Sequence, residues 1–224
     1  MSFDYEEYFA KQYPFWNKLS TSDQAAFIQN SSVRTYEKGQ FIHSSMGQCM
    51  GMLLVESGQL RVYIQSENGK EITLYRLDEG ETCTLSSSCI MQEITFDVFI
   101  TATQDSTLIV TNSSYLNQLA SENIYVENYL YKQTTEKFSN VMWSMQQILF
   151  LSFDQRLAGY LYDEMLKTRS NVLVLTHDEI AKNLGSAREV VSRMLKYFQK
   201  EGIVTIERGK IIIDDKAKLT KLAM

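Results

Sequence analysis

At 224 residues, 44% hydrophobic and 22% charged, the chain has the composition of a soluble globular protein and the length for two modest domains. Its acidic start, Met1-Ser2-Phe3-Asp4-Tyr5-Glu6-Glu7, lacks the basic and apolar regions of a signal peptide. No apolar run approaches the roughly 18 residues of a membrane helix, so a cytoplasmic protein with no membrane partner is expected. The net charge of −5 excludes a uniformly basic nucleic-acid binder, but the charge is uneven. Residues 1–120 carry 7 Lys and Arg against 14 Asp and Glu, residues 121–169 carry 5 against 6, and residues 170–224 carry 10 against 7. Only the C-terminal part is positive, which permits attraction to phosphate there.

In chain order, residues 1–30 read as helical, anchored by Phe15, Trp16, Leu19, Ala26, Phe27 and Ile28, with Ser20-Thr21-Ser22-Asp23 as a helix start. From about residue 33 the texture changes to short β-branched and aromatic runs punctuated by glycine at 39, 47, 51, 58, 69 and 80. Leu60–Gln65 and Glu71–Tyr75 alternate about Glu67-Asn68-Gly69-Lys70, which predicts a hairpin, and further strands are expected at 94–104 and 107–111. Such spacing argues for a small sandwich or barrel-like roll.

Beyond about 112 the period becomes helical. Ile124, Glu127, Tyr131, Thr134, Phe138, Val141, Met145 and Ile148 recur at alternating three- and four-residue intervals, widened by Met142 and Leu149. This is a long helix with an apolar seam. The seam suits a twin helix in a homodimer through residues 122–149; the alternative is a helix packed on its own β domain.

Phe153-Asp154-Gln155-Arg156-Leu157-Ala158, with Leu161 and Met165, opens the last region, and a helix-turn-helix follows. Thr176 caps a first helix and Glu179 completes a capping box, while Ile180, Ala181 and Leu184 form its apolar stripe. Gly185 stops that helix, and Ser186 reads as the cap of the second. Val190, Val191, Met194, Leu195 and Phe198 face inward, leaving Arg188, Glu189, Ser192 and Arg193 on one polar face. Such a helix suits the major groove of double-stranded DNA, where arginine pairs with guanine O6 and N7 and glutamate accepts from cytosine N4. After Gly202, residues 203–213 read as two strands about a glycine turn, a wing whose Arg208 and Lys210 suit phosphate.

A glycine-punctuated β-roll, a long helix and a winged helix-turn-helix, in that order, resemble the Crp/Fnr family of bacterial transcription regulators across essentially the whole chain. In the N-terminal part the resemblance rests on Lys38-Gly39-Gln40-Phe41-Ile42, on Val55–Tyr63 and on Leu77-Asp78-Glu79-Gly80-Glu81; in the C-terminal part it rests on residues 176–195. It implies an α+β fold with an N-terminal double-stranded β-roll that binds an effector (1–120), a central dimerisation helix (121–150) and a winged helix-turn-helix DNA-binding domain (151–224). Glu189, Ser192 and Arg193 match the Glu-x-x-Ser-Arg pattern of the Fnr-like branch, which implies a TTGA-type half-site. Arg188, Glu189 and Arg193 also match the Crp-like branch, which reads a TGTGA-type half-site. The expectation common to both is a palindrome with TGA/TCA cores. RNA polymerase is a further partner if the regulator is an activator.

The family's cyclic-nucleotide site uses a Gly-Glu pair followed about ten residues later by Arg and Ser or Thr. Here Gly80-Glu81 begins the segment, no second Gly-Glu follows, and Phe96 and Asp97 fall where the arginine and its neighbour belong. A carboxylate there repels a phosphate, so cyclic AMP is not the expected effector. No cysteine precedes Cys49, which argues against the Fnr-type iron–sulfur cluster. The effector pocket is expected around Gly80, Glu81, Cys83, Cys89, Phe96 and Asp97, and no cofactor is expected. Three alternatives stay open: cysteines packed as small apolar residues; thiol redox, metal or haem chemistry through Cys49, Cys83, Cys89 or His43; and an unknown small-molecule effector in the roll. A regulatory module without a DNA role leaves residues 170–224 unexplained. An enzyme lacks support too, because neither histidine, His43 nor His177, has a nucleophile–base pattern around it.

Overall fold

In the computed structural model, residues 4–44, 50–84 and 98–223 are described. The chain divides into two compact units. Residues 1–64 and 74–141 form the first, and residues 65–73 and 142–224 form the second. No helix among the described residues is long and apolar enough to cross a membrane.

The first unit begins with α1 (Tyr5–Gln12), capped by Asp4, a 3-10 turn (Trp16–Lys18) and α2 (Thr21–Gln29), capped by Ser20. The expected helix start at 20–23 is therefore where the cap forms, with the Ser20 side chain accepting from the Asp23 N–H. These short helices are held by aromatic packing. The rings of Phe9 and Phe27 meet edge to face at 5.1 Å, and those of Tyr13 and Phe15 stack at 5.0 Å.

Among the described residues eight strands follow: β1 (Ser31–Tyr36), β2 (Phe41–Ser44), β3 (Met52–Ser57), β4 (Leu60–Gln65), β5 (Glu71–Leu77), β6 (Thr82–Cys83), β7 (Phe99–Ala102) and β8 (Ser106–Thr111). They form two four-stranded sheets, ordered β1-β8-β3-β6 and β2-β7-β4-β5. The hairpin turn expected at 67–70 is present, with Ser66 N–H donating to Lys70 O at 2.9 Å and Gly69 at φ 77°. Of the strand expected at 94–104, residues 94–97 lie outside the described residues, and β7 accounts for the remainder.

The period-2 alternation of β3 and β8 serves two cores at once. Leu53, Val55, Leu108 and Val110 point into the roll, while Met52, Leu54 and Ile109 join the aromatic cluster outside it. The roll tolerates no side chain at two turns. Gly51 sits at φ 101° with its missing Cβ directed onto the Thr111 carbonyl, and Gly58 at φ 91° faces the Asp105 carbonyl and Ser106.

Next come α3 (Ser113–Glu122) and α4 (Ile124–Phe150). Helix α4 presents two apolar faces. Val126, Leu130 and Val141 pack on the first unit's cores, whereas Ile124, Tyr131, Phe138 and Leu149 are each more than 60% exposed. Packing on its own β domain is thus present on one face, and the seam residues expected to meet a twin helix form an exposed face beside it.

The second unit contains α5 (Phe153–Thr168), β9 (Val172–Leu173), α6 (His177–Leu184), α7 (Arg188–Lys200), β10 (Val204–Glu207), β11 (Lys210–Ile213) and α8 (Lys216–Ala223). Its core combines Leu157, Leu161 and Met165 of α5 with Ile180, Val191, Leu195 and Phe198 of the helix pair, closed by Ile203, Ile211 and Leu219. The wing strands β10 and β11 pair as expected. Sequence patterning missed β9, which extends them to three strands, and α8, which packs on α5.

Candidate nucleic-acid interface and effector site

The helix pair is set by local chemistry. Thr176 accepts from the Glu179 N–H at 3.1 Å, while Glu179 accepts from the Thr176 N–H at 2.8 Å, a complete capping box. Thr176→Ala removes the cap and is expected to lower stability by about 1 kcal/mol, read as the shift in urea midpoint at unchanged slope. Gly185 ends α6 in the left-handed conformation at φ 59°, and Ser186 N–H donates back to Ala181 O at 2.9 Å.

One expectation is corrected at this turn. Ser186 is not the cap of α7; Ala187 occupies that position and gives no side-chain hydrogen bond. The turn spends Ser186 on closing α6, so the extended cap residue falls one position later.

The turn is also braced from outside. Arg156 of α5 donates to the last carbonyl of α6, Leu184 O, at 2.9 Å, and burial lowers its guanidinium pKa below the usual value. Asn183 donates to the Tyr160 hydroxyl at 3.0 Å and to Glu179 O at 2.8 Å. Sequence reading missed Arg156, whose position one turn into an amphipathic helix carries no signal of a distant acceptor.

Val191, Leu195 and Phe198 anchor α7 in the core, and its opposite side is open. Arg188, Glu189 and Arg193 are exposed there and Ser192 is half-buried, so the four residues share one accessible face. Exposed Lys196, three residues beyond Arg193, extends that face and was not singled out from the sequence. Arg188 Nη1 lies 3.3 Å from Asp178 Oδ2, both side chains being more than half exposed. Such a solvated pair is weak, so it orients Arg188 without locking it. Arg208 and Lys210 flank the wing turn at Gly209 and are exposed.

In the first unit, Gly80 and Glu81 form a turn tied to β3, with Gly80 N–H donating to Val55 O at 2.8 Å and Val55 N–H to Glu81 O at 3.0 Å. Glu81 Oε2 accepts from the Asp78 N–H at 2.8 Å, and Glu81 Oε1 meets Lys137 Nζ of α4 at 3.1 Å. Lys137 is only 2% exposed and lies 5.5 Å from the centre of the Tyr75 ring. Cys83 is fully buried beside Tyr75. Thr82 and Tyr129 share a hydrogen bond at 2.9 Å. Of the pocket residues expected from sequence, Gly80, Glu81 and Cys83 come together here. Cys89, Phe96 and Asp97, like Cys49, lie outside the described residues. Sequence reading missed Lys137 and Tyr75. The available signal was a lysine spaced four and seven residues from Val141 and Leu130 on an otherwise apolar face.

His43 is buried, its Nε2 has no hydrogen-bond partner among the described residues, and burial holds its pKa below the ordinary 6.5. The unfolded chain takes up the proton first, so His43 contributes stability above about pH 6.5 that is lost as pH falls toward its folded value. The melting temperature is expected to drop between about pH 7.5 and 5.5, and His43→Phe should reduce that drop. Parallel melting curves across this range check it. Among the described residues no group of three or more His, Cys, Asp or Glu is arranged to hold a metal ion.

Known proteins match both units. A cyclic nucleotide-binding domain model matches residues 33–123, and a Crp-like helix-turn-helix domain model matches residues 155–222. The chain is similar to the regulatory protein HlyX of Actinobacillus pleuropneumoniae, with 26% identity over 82% of this chain and 78% of that protein. It is 23% identical to a cyclic AMP receptor protein of Thermus thermophilus over 94% of this chain and 96% of that one. A crystal structure from Eubacterium rectale, assigned to the crp/fnr family of transcriptional regulators, is 42% identical. It covers 95% of this chain and 99% of its own, with a TM-score of 0.91.

Proposed function

Because this chain belongs to the Crp/Fnr family of transcription regulators, we propose that it reads a palindrome with TGA/TCA cores as a homodimer under a signal sensed in its β-roll. It is a DNA-binding regulator with a cyclic-nucleotide-binding-like sensing domain, and its relatives are regulators, not enzymes. In this reading residues 1–120 sense, 121–150 pair with a twin, and 151–224 bind DNA. The observation that carries it is the open face of α7: Arg188, Glu189, Ser192 and Arg193 project from a helix whose other side is locked in the core.

Each side chain then has a role. Arg188 and Arg193 pair with guanine edges, Glu189 accepts from cytosine N4, and Ser192 bonds a neighbouring base or phosphate. Arg188 exchanges Asp178 for DNA at little cost, because that pair is exposed. Thr176 and Ser186, with the N–H groups at the start of α6, and Arg208 and Lys210 on the wing contact phosphate and set register. The exposed seam of α4 joins two copies so that two α7 helices sit about 34 Å apart, one turn of DNA. Cyclic AMP is not the signal, since Phe96 and Asp97 stand in the sequence where a phosphate-binding arginine would be needed. RNA polymerase is a partner if the protein activates.

The test is anisotropy titration on a TGA/TCA palindrome, a single half-site and scrambled DNA of equal length. The palindrome is expected to bind tightest at fixed salt. Equal affinity for palindrome and scrambled duplex refutes the reading.

A further inference from the structure

We infer that Lys182 is a further contact to the DNA backbone and that Glu71 competes for it in place of a phosphate. The free protein thus carries a shallow brake on DNA binding. This rests on the reading of α6 and α7 as the DNA-binding helices and adds how that surface is restrained.

The second unit includes the tip of the β4–β5 hairpin, residues 65–73, together with the helix-turn-helix. Glu71 Oε1 lies 3.7 Å from Lys182 Nζ of α6. Thr73 fastens the same strand to the end of α6, its hydroxyl donating to Lys182 O at 3.2 Å and lying 3.4 Å from Asn183 Oδ1. Asn183 commits its Nδ2 to the Tyr160 hydroxyl and to Glu179 O, which leaves Oδ1 toward Thr73. Between Glu71 and Thr73, Ile72 packs on Gly185, where an added Cβ would lie 3.0 Å from Ile72 Cγ1. Three successive residues therefore seat on the end of α6 and its turn, and the seat aims one carboxylate at one ammonium.

Position places that ammonium on the DNA side. Lys182 is the only lysine or arginine of α6. It follows Asp178 by four residues, so the two share a helix face, and Asp178 reaches Arg188 on the open face of α7 at 3.3 Å. In helix-turn-helix docking the first helix crosses the DNA backbone while the second enters the groove. The row Asp178 and Lys182 then runs along that backbone, with Lys182 as its cation.

The two partners are unequally free. The Glu71 side chain is 15% exposed and held by the seating of Ile72 and Thr73, whereas that of Lys182 is 56% exposed. A phosphate can reach the ammonium from the solvent side, but it meets the carboxylate there. Either Glu71 gives up the pair or two anions share one cation, and both reduce what Lys182 contributes to DNA affinity. A pair this open to solvent is weak, so the brake changes affinity severalfold and does not abolish binding.

A double-mutant cycle on the full chain, read by anisotropy on the TGA/TCA palindrome and on scrambled DNA, tests this. Glu71→Gln is expected to raise affinity for both duplexes about two- to fivefold and to steepen the salt dependence by about one. In a Lys182→Gln background the same substitution should have no effect. Glu67→Gln, an equal change of charge on the same hairpin, should leave affinity unchanged. If melting curves show that Glu71→Gln does not fold, Thr73→Val takes its place in the cycle with the same gain expected. No gain, a gain that persists without Lys182, or an equal gain from Glu67→Gln overturns the inference and leaves the regulator reading standing. Failure of the unsubstituted chain to bind either duplex overturns both.

Discussion

Phe138→Glu combined with Leu149→Glu is expected to give a folded monomer that has lost most of its affinity for the palindrome. Both side chains are large, apolar and exposed, at 63% and 67%, on a face of α4 that is open among the described residues. With Ile124, Tyr131 and Met142 they form a stripe with a near-heptad period, the pattern by which one helix buries itself against a twin. A carboxylate at each position would face its own copy across a two-fold axis, adding repulsion to the lost burial. The unit that packs on the opposite face, through Val126 and Leu130, is untouched, so the substitutions should leave the circular dichroism spectrum unchanged. Without the twin, the second half-site no longer benefits from high effective concentration, and palindrome affinity should fall on the order of 100-fold. Sedimentation with anisotropy on one and two half-sites checks both effects. A double variant that remains dimeric, or that binds the palindrome unchanged, contradicts the proposed seam.

Arg193→Ala is expected to lose about 1–3 kcal/mol of discrimination between the TGA core and its variants. Arg193 is exposed on α7 in the turn after Glu189, and no ion pair among the described residues holds it, which leaves its donor set open to a base. Lys210→Ala is the companion measurement. Its ammonium is exposed on the wing, to which the proposed mode of binding assigns phosphate, so the substitution should weaken specific and scrambled DNA alike and reduce the salt slope by about one. A uniform loss for Arg193→Ala, or a sequence-selective loss for Lys210→Ala, reverses the assignment of base-reading and phosphate roles.

The helix-turn-helix was legible because its determinants are local. Thr176 and Glu179 are three residues apart, Gly185 needs only its own backbone freedom, and the inward stripe Val191, Leu195 and Phe198 repeats at helical spacing. The misplacement of the α7 cap at Ser186 has the same origin. Local preference favours serine, but closing α6 draws Ser186 N–H back to Ala181 and moves the cap to Ala187, where no side chain assists. The roll's turns and alternation were equally readable, although alternation could not tell that both faces of β3 and β8 are buried. Helix α8 was missed because a short lysine-rich segment reads as a solvated tail until Leu219 is seen in the core against α5.

By itself the sequence determined the order of the main elements, the family resemblance and the polar side chains that α7 exposes. Each of these rests on caps, turns and periodicities that act over a few residues. Only the tertiary structure decided that α4 has one apolar face spent on its own roll and another left open, that Arg156 braces the helix-turn-helix, and that Lys137 is buried against Glu81. Those facts join residues distant along the chain. Whether a lysine lies in water or beneath a sheet edge depends on what the fold brings over it, and no local pattern encodes that.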